Sequence, residues 1–152
     1  MQDWLEILPT PLPADRAIAF VSVPEAGGVA IFLGTTRAEN HPQSKHPLLA
    51  LDYEAYPELV TRQLADLAQA ARQKWPVLRL AILHRTGRVA PAKPSVVIAV
   101  STPHRAESFE ACRHLIDQLK AQVAIWKREV WSDGTTTWVD PAHAPPTPPT
   151  DY

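Results

Sequence analysis

The chain of 152 residues lacks several features that would place it in particular protein classes. Its single cysteine, Cys112, cannot form an internal disulfide, which suits a reducing cytosol. No apolar run approaches the roughly 20 residues needed to span a bilayer. The N-terminus has neither the basic region nor the apolar core of a signal peptide. We therefore expect a cytoplasmic protein with no membrane partner.

An excess of charge of one sign is also missing, since 15 Lys and Arg residues balance 16 Asp and Glu residues. A near-neutral chain cannot bind nucleic acid through bulk electrostatics, so any basic function must come from local clustering. The few glycines form no phosphate-cradling loop, and the histidines show no metal-ligand spacing. We expect no metal, no cofactor and no nucleic-acid partner.

Proline, by contrast, is abundant, and five of the 16 prolines fall within residues 141–149. This segment can form neither a helix nor a strand ladder, and it carries little apolar surface to bury. We interpret residues 141–152 as a proline-rich C-terminal tail. Residues 1–140 are then a single domain, which is long enough to bury a core.

Hydrophobic spacing predicts the elements of this domain. Apolar residues recur at intervals of three and four over residues 14–23, 57–75 and 106–121, which is typical of amphipathic helices. Alternating or continuous apolar runs predict strands over residues 29–33, 48–56, 77–84, 95–101, 123–131 and 136–139. Grouped strand pairs with intervening helices favour an α+β fold, with a mixed or antiparallel sheet and helices packed on one face.

A cluster of polar and basic residues lies where a strand gives way to the third predicted helix. Ser101 and Thr102 are candidate caps for this helix. A helix N-terminus favours a bound anion, and here Arg105 adds a guanidinium while His104 can donate a proton. In the alternative interpretation, His104 caps or packs and Arg105 forms a surface ion pair.

Two lysines further along the chain form a second candidate group. Lys120 lies at the end of the third helix, off its apolar stripe, and Lys127 follows on the next strand. Lys127 shares a strand face with Ile125 and Trp131, so partial desolvation would lower its pKa, whereas Glu129 on the same face would raise it. The alternative is a pair of solvated surface lysines.

Other polar residues give weaker signals. Arg37 follows Gly34 just beyond a strand and is placed either to reach a ligand at the edge of the sheet or to begin an exposed loop. Residues 84–88 end a strand in a turn, and we expect a structural role for them. Cys112 falls on an apolar helical stripe, which indicates an inert core thiol. If the protein handles sulfur, the sulfur must therefore arrive from elsewhere.

Seven segments together are more specific than any one of them: residues 34–37, 51–56, 74–76, 82–87, 101–106, 109–111 and 119–129. In this order and spacing, over roughly residues 14–139, the chain resembles the large, catalytic subunit of molybdopterin synthase, the MoaE family. The His-Arg pair before the helix and the Lys…Trp-Lys-Arg-Glu segment are the most specific parts.

The resemblance implies an activity and partners. The family installs the two dithiolene sulfurs of molybdopterin on cyclic pyranopterin monophosphate, in molybdenum cofactor biosynthesis. The sulfur comes from a C-terminal thiocarboxylate on a small ubiquitin-like carrier, whose Gly-Gly tail inserts into the large subunit. An α/β hammerhead fold is implied, with a homodimer that carries a small subunit at each end as a heterotetramer. The active site combines residues from both large chains.

The resemblance also assigns roles to residues of this chain. Lys120 matches the lysine beside the incoming thiocarboxylate and is the candidate general acid/base, and Lys127 matches a second active-site lysine. The substrate-binding positions comprise Thr35, Thr36, Arg37, His104, Arg105, Lys120, Lys127, Arg128 and Glu129. The chain departs from the family pattern at Thr35-Thr36, in the 38–47 loop and in the 89–94 turn, which bears on loop geometry and partner docking.

Two hypotheses from other classes use the same residues differently. The basic cluster would also suit a non-catalytic α+β module that binds an anion or a nucleotide. A small RNA-binding domain would instead use Trp126 and Trp131 to stack bases, and it requires those rings to be exposed.

Overall fold

The computed structural model of the protein describes residues 3–139, so the predicted tail lies outside the described residues. The helices in this part are α1 (Ala14–Val21), α2 (Pro57–Lys74) and α3 (Arg105–Gln122). The strands are β1 (Asp3–Leu8), β2 (Gly28–Thr35), β3 (Leu48–Ala55), β4 (Arg79–Arg85), β5 (Gly87–Val89), β6 (Pro94–Thr102), β7 (Ile125–Trp131) and β8 (Thr136–Trp138).

The strands form two sheets of four. The first has the order β1-β4-β6-β2, in which β1 and β4 are parallel and the other neighbours are antiparallel. The second is antiparallel throughout and has the order β5-β3-β7-β8. The half-buried side chain of Ile125 packs against core clusters of both sheets and so links them.

The central strands of the first sheet are buried on both faces. On one face, even-numbered residues such as Ile82 and Ile98 pack among the apolar residues of α2 and α3. On the other face, Leu83 and Val97 pack against Ala17 and the rest of the α1 stripe. Strands covered on both sides read as continuous apolar runs, which explains the composition of β4 and β6.

The α+β class with mixed and antiparallel strands is confirmed. The two long helices share one face of the first sheet, as predicted, but α1 lies on the opposite face. The reason is that β4 and β6 expose apolar side chains in both directions, and each face needs a cover. The strands also divide into two sheets, since β3 and β7 pair with each other and not with β4 or β6.

Two strands, β1 and β5, are not predicted from the sequence. β1 contains two acidic residues and only a short apolar alternation, and it is held by parallel pairing with β4 and by an ion pair between Asp3 and Arg72. β5 lies within the predicted turn and has only three residues, paired with β3. Both depend on partners distant in sequence, so local patterning carries little signal for them.

The predicted helix cap is wrong. The residue before α3 is His104, whose side chain makes no capping hydrogen bond. The Thr102 hydroxyl instead donates to the carbonyl oxygen of His104, at 2.6 Å, and the Ser101 hydroxyl turns toward Arg79. The two buried hydroxyl groups therefore donate to the carbonyl oxygens of Arg79 and His104, and neither of them caps the start of α3.

Because the core between α2, α3 and the first sheet is closely packed, truncating one of its side chains leaves a cavity. Leu115→Ala on α3, where the side chain is fully buried, is expected to lower the free energy of unfolding by about 2–5 kcal/mol. The half-exposed Leu59 on α2 provides the control, and Leu59→Ala should change it far less. Urea unfolding of both variants measures the difference, and equal losses would contradict this packing.

Candidate active site

A short connection between α3 and β7 brings Lys120 and Lys127 together. Lys120 lies in the last turn of α3, which ends at Gln122, and β7 begins three residues later at Ile125. Both lysines line a cavity of about 290 Å³ between the two sheets and a wider, more open one of about 610 Å³. The structure therefore places the two lysines at a common site.

The turn between the lysines is held by Gln63 of α2. Its side-chain amide donates to the carbonyl oxygen of Gln122, at 3.0 Å, and its amide oxygen accepts from the backbone N–H of Ala124, at 2.8 Å. These bonds fix both sides of the turn to α2. No sequence pattern predicts this role, because a glutamine on the polar side of a helix is ordinary.

The open cavity also receives residues from the end of β2 and the loop that follows it. Thr35 and Arg37 line it beside the two lysines, and the Arg37 side chain is 89% exposed. Arg37 lies 4.0 Å from Glu39, which also lines the cavity. Arg37 thus lies beside the cavity at the edge of the sheet and at the start of an exposed loop.

Thr36 differs from its neighbours. It is 2% exposed, and its hydroxyl donates to the carbonyl oxygen of Val89 at 3.1 Å. Its backbone N–H donates to Lys93. These bonds tie the end of β2 to the segment after β5, so Thr36 holds the loop in place and does not line the cavities.

The cavity environment lowers the pKa of Lys127 below its ordinary value of 10.5. The main cause is burial, and the like charge of Lys120 adds to it. The carboxylates of Glu129 and Glu39 act in the opposite direction. Partial desolvation of this lysine and the opposing effect of Glu129 were both predicted from strand alternation. A lysine with a lowered pKa is a better proton donor and acceptor near neutral pH than a solvated one.

Glu129 faces the same cavity as Lys127. Burial raises its pKa, as does the neighbouring carboxyl group of Glu39, while the hydroxyl of Thr137 donates to it at 3.3 Å and acts in the other direction. The two carboxyl groups connect β7 to the loop after β2. They also place negative charge beside the lysines, which limits the net positive charge of the open cavity.

Arg128 points away from this site. On β7 it alternates with Lys127 and Glu129, so its side chain lies on the other face of the second sheet. There it pairs with Asp52 at 3.0 Å and lies over the ring of Trp138, 5.7 Å from the ring centre. Within one protomer, the structure does not bring Arg128 together with the two lysines.

His104 and Arg105 lie at the opposite end of α3 from Lys120. With a rise of about 1.5 Å per residue, the helix separates Arg105 from Lys120 by roughly 22 Å. Both residues are exposed at the start of the helix. The structure thus groups the lysines with Arg37 and Glu129 and leaves the His-Arg pair outside that group in the same protomer.

Strand β2 runs between these two regions. At its start, a Cβ on Gly28 would come within 2.7 Å of the Arg105 Cα atom, so glycine permits the close approach of β2 to the beginning of α3. At its end, Gly34 and Thr35 line the lysine cavities. The two ends of β2 therefore mark the two halves of the candidate site.

His84 is a cavity residue for which the sequence predicted a structural role in a turn. It lies at the end of β4, is 4% exposed and lines the smaller cavity with both lysines. Burial lowers its pKa to about 4, and the charges of Lys120 and Lys127 contribute. The signal available in the sequence was a histidine within an apolar strand, but most histidines in such positions only pack in the core.

The remaining reactive groups do not suggest other chemistry. Cys112 is buried, and burial raises the pKa of its thiol to about 11, which disfavours the reactive thiolate. Residues 3–139 contain no group of three or more His, Cys, Asp or Glu side chains that could hold a metal ion. Within the same residues, no helix is long and apolar enough to cross a membrane.

Comparison with known proteins gives consistent matches. A family model described as MoaE protein matches residues 7–122. The molybdopterin synthase catalytic subunit of Halalkalibacterium halodurans is 43% identical over 133 residues, 88% of this chain and 83% of that protein. Catalytic subunit 1 of Mycobacterium tuberculosis is 43% identical over 129 residues, 85% of each chain.

A crystal structure of molybdopterin synthase from Staphylococcus aureus superposes with a TM-score of 0.81 at 31% identity, covering 89% of this chain and 96% of that one. A complex of subunits 1 and 2 of the molybdopterin-converting factor from Helicobacter pylori shares the fold, with a TM-score of 0.72 at 19% identity. It covers 90% of each chain.

The charges around Lys127 make its pKa a direct test of the site. Lys120→Ala removes a like charge and should raise the Lys127 pKa, whereas Glu129→Gln removes an opposite charge and should lower it further. Titration of the side-chain ¹³Cε resonances by NMR measures both shifts, with Lys74, at the end of α2, as an internal reference. An unchanged Lys127 pKa in both variants would show that these groups do not share a site.

Proposed function

The chain belongs to the MoaE protein family, and we propose that it is the catalytic subunit of a molybdopterin synthase. It transfers sulfur from the C-terminal thiocarboxylate of a small carrier protein to cyclic pyranopterin monophosphate. The observation that carries this proposal is the pair of lysines at a common cavity, with the pKa of Lys127 lowered. Family relatives named as catalytic subunits fit an enzyme that needs a second subunit.

The lysine site suits the charges of this reaction. Both the cyclic phosphate and the thiocarboxylate are anions, and Arg37, Lys120 and Lys127 supply cationic donors on the cavity wall. Opening the cyclic phosphate and adding sulfur require a proton donor and stabilisation of the negative charge that develops. We assign Lys120 as the general acid/base and Lys127 as its assistant, with Glu129 setting the charge balance.

The smaller cavity suits the end of a carrier chain. Aliphatic side chains such as Ile116, Leu119 and Val123 form part of its wall, and the two lysines form another part. A slim glycine tail has no side chains to clash there, and its terminal thiocarboxylate would meet the ammonium groups. The inert Cys112 is consistent with sulfur that a partner delivers. Delivery by a cytosolic carrier also agrees with a cytoplasmic location.

In one protomer the His-Arg pair lies too far from the lysines to share a ligand with them, so we propose that a second protomer completes the site. In the described part of the chain β2 is an edge strand of the first sheet, and Val29, Ile31 and Leu33, which share one of its faces, are 38–43% exposed. An unpaired edge with exposed apolar side chains is a ready surface for pairing with a copy of itself. We propose that the homodimer forms along this strand.

Two-fold antiparallel pairing of β2 with its copy would complete the site. In such a pair, the start of one strand lies beside the end of the other. The start of β2 packs on Arg105, and its end lines the lysine cavities. His104 and Arg105 of one protomer would therefore approach Lys120 and Lys127 of the other. One carrier bound at each of the two sites makes a heterotetramer.

Residues 1–140 are proposed as one domain, because Ile125 packs against the core clusters of both sheets.

The RNA-binding hypothesis is wrong in its main requirement. Trp131 is 2% exposed, and Trp126 packs edge-on against Tyr56 at 5.2 Å, so these rings do not form an open stacking platform.

Lys120→Ala separates catalysis from simple anion binding. If Lys120 transfers protons, the variant should lose at least about 100-fold in the rate of molybdopterin formation while folding normally. The assay mixes the protein with thiocarboxylated carrier and pterin precursor, and Lys74→Ala is the matched control because Lys74 lies outside the cavities. Full activity in Lys120→Ala would favour a non-catalytic binding module.

Mixed dimers test the shared site. Arg105→Ala and Lys120→Ala homodimers should each be inactive, because every site lacks one group. After mixing and exchange, half of the dimers are hybrids with one intact site, so activity should return to about one quarter of wild type. Activity that stays at the level of the separate variants would place all the groups in one protomer.

A further inference from the structure

His84 is a buried polar side chain that has no role in the acid/base chemistry proposed for the two lysines. It ends an apolar strand, and its ring forms part of the wall of the smaller cavity, together with Lys120 and Lys127. A polar ring with 4% exposure needs a hydrogen-bond partner for each nitrogen, or a reason to lack one.

One hydrogen bond determines which ring nitrogen carries the proton. Nδ1 of His84 lies 2.9 Å from the carbonyl oxygen of Arg85, and a carbonyl oxygen only accepts. Nδ1 must therefore donate, which leaves Nε2 as a bare acceptor in the neutral ring. The ring of Tyr53 packs edge-on against it, with centres 5.1 Å apart, and restricts its rotation.

A polar chain restrains Tyr53 in turn. The Ser95 hydroxyl donates to the carbonyl oxygen of Gly34 at 3.1 Å and also forms a hydrogen bond with the Tyr53 hydroxyl. These residues all line the smaller cavity. The His84 ring thus has a supported orientation, as a binding residue needs.

Nε2 has no hydrogen-bond donor among residues 3–139, yet it is not sealed in the core. The fully buried side-chain polar atoms without a partner in that part of the chain are Arg85 Nε and Glu107 Oε2. Nε2 therefore retains accessible surface, and the cavity is the surface that His84 lines. With a pKa of about 4, the ring stays neutral at neutral pH and keeps this acceptor.

The cavity then offers donors and an acceptor at once. The ammonium groups of Lys120 and Lys127 donate, and His84 Nε2 accepts, at the wall of the same cavity. A planar –CO–NH– unit is a complementary ligand group, because it carries an acceptor and a donor on adjacent atoms. A phosphate or a thiocarboxylate alone would leave Nε2 unpaired, at a cost in affinity.

We propose that His84 Nε2 accepts a hydrogen bond from an N–H group of the ligand that enters the smaller cavity, which makes His84 a further substrate-contacting residue. The inference rests on the proposed function, since both substrates contain the required unit. In the carrier it is a backbone amide of the tail, and in the pterin it is the lactam of the ring.

Two substitutions separate this acceptor from the structural role of His84. Asparagine keeps an amide N–H near the Nδ1 position for the Arg85 carbonyl but does not reach Nε2. Glutamine reaches the Nε2 position with a polar group. His84→Asn should raise the KM of one substrate about three- to tenfold, as expected for one lost hydrogen bond, and His84→Gln should recover part of that loss.

The identity of the affected substrate reveals the source of the N–H group. A higher KM for the carrier assigns it to the peptide tail, and a higher KM for the precursor assigns it to the pterin ring. His114→Asn, on the outer surface of α3, is the matched control and should change neither KM. Unchanged KM values in a folded His84→Asn protein, or a lower kcat alone, would overturn the proposal.

Failure of the proposed function is distinguishable from failure of this inference. If the wild-type protein transfers no sulfur, calorimetry still measures binding of the two ligands separately. One ligand is the carrier whose tail ends in an ordinary carboxylate, and the other is the precursor. The affinity of each ligand for wild type is compared with its affinity for His84→Asn. Equal affinities overturn the inference. If His84→Asn does not fold, His84→Met fills the space without an acceptor, and KM values equal to those of His84→Gln overturn it in the same way.

Discussion

The organisation of the molecule depends on covering both faces of the β4–β6 pair. These strands carry apolar side chains in both directions, so α1 must cover one face while α2 and α3 cover the other. The length of α3 separates its first residues from its last turn. The order of the strands in the same sheet leaves β2 as an edge strand with exposed apolar residues. The separation of His104 and Arg105 from Lys120 therefore follows from the helix length, and the surface proposed to join two protomers follows from the strand order.

The candidate site holds two positive charges close together in a partly desolvated environment. Two ammonium groups at a common cavity repel each other, and burial adds to the cost of charging Lys127. The structure sustains the arrangement by bonding the intervening turn to Gln63 and by placing Glu129 and Glu39 nearby. At the inner wall it uses a neutral histidine, which neither cancels the positive charge nor adds to it. The result is a group of cationic side chains, with neighbouring carboxylates, around one cavity.

Much of the local structure could be predicted because it depends on short-range patterns. The apolar spacing of α2 and α3, the strand alternation around Lys127 and the inert character of Cys112 all depend on nearby residues. β1 and β5 could not be found in this way, because their stability comes from pairing with β4 and β3. The capping role expected of Ser101 and Thr102 failed for a related reason, since burial gave their hydroxyls other acceptors.

The sequence by itself determined the side of its element on which each of Lys127, Arg128 and Glu129 lies, because helix and strand periods are properties of the local chain. Tertiary structure decided which of those sides meet. Pairing of β3 with β7 turned Arg128 toward Asp52 and Lys127 toward the cavity, and packing of the two sheets brought His84 to the same cavity. Those outcomes depend on contacts between residues tens of positions apart, and no local period encodes them.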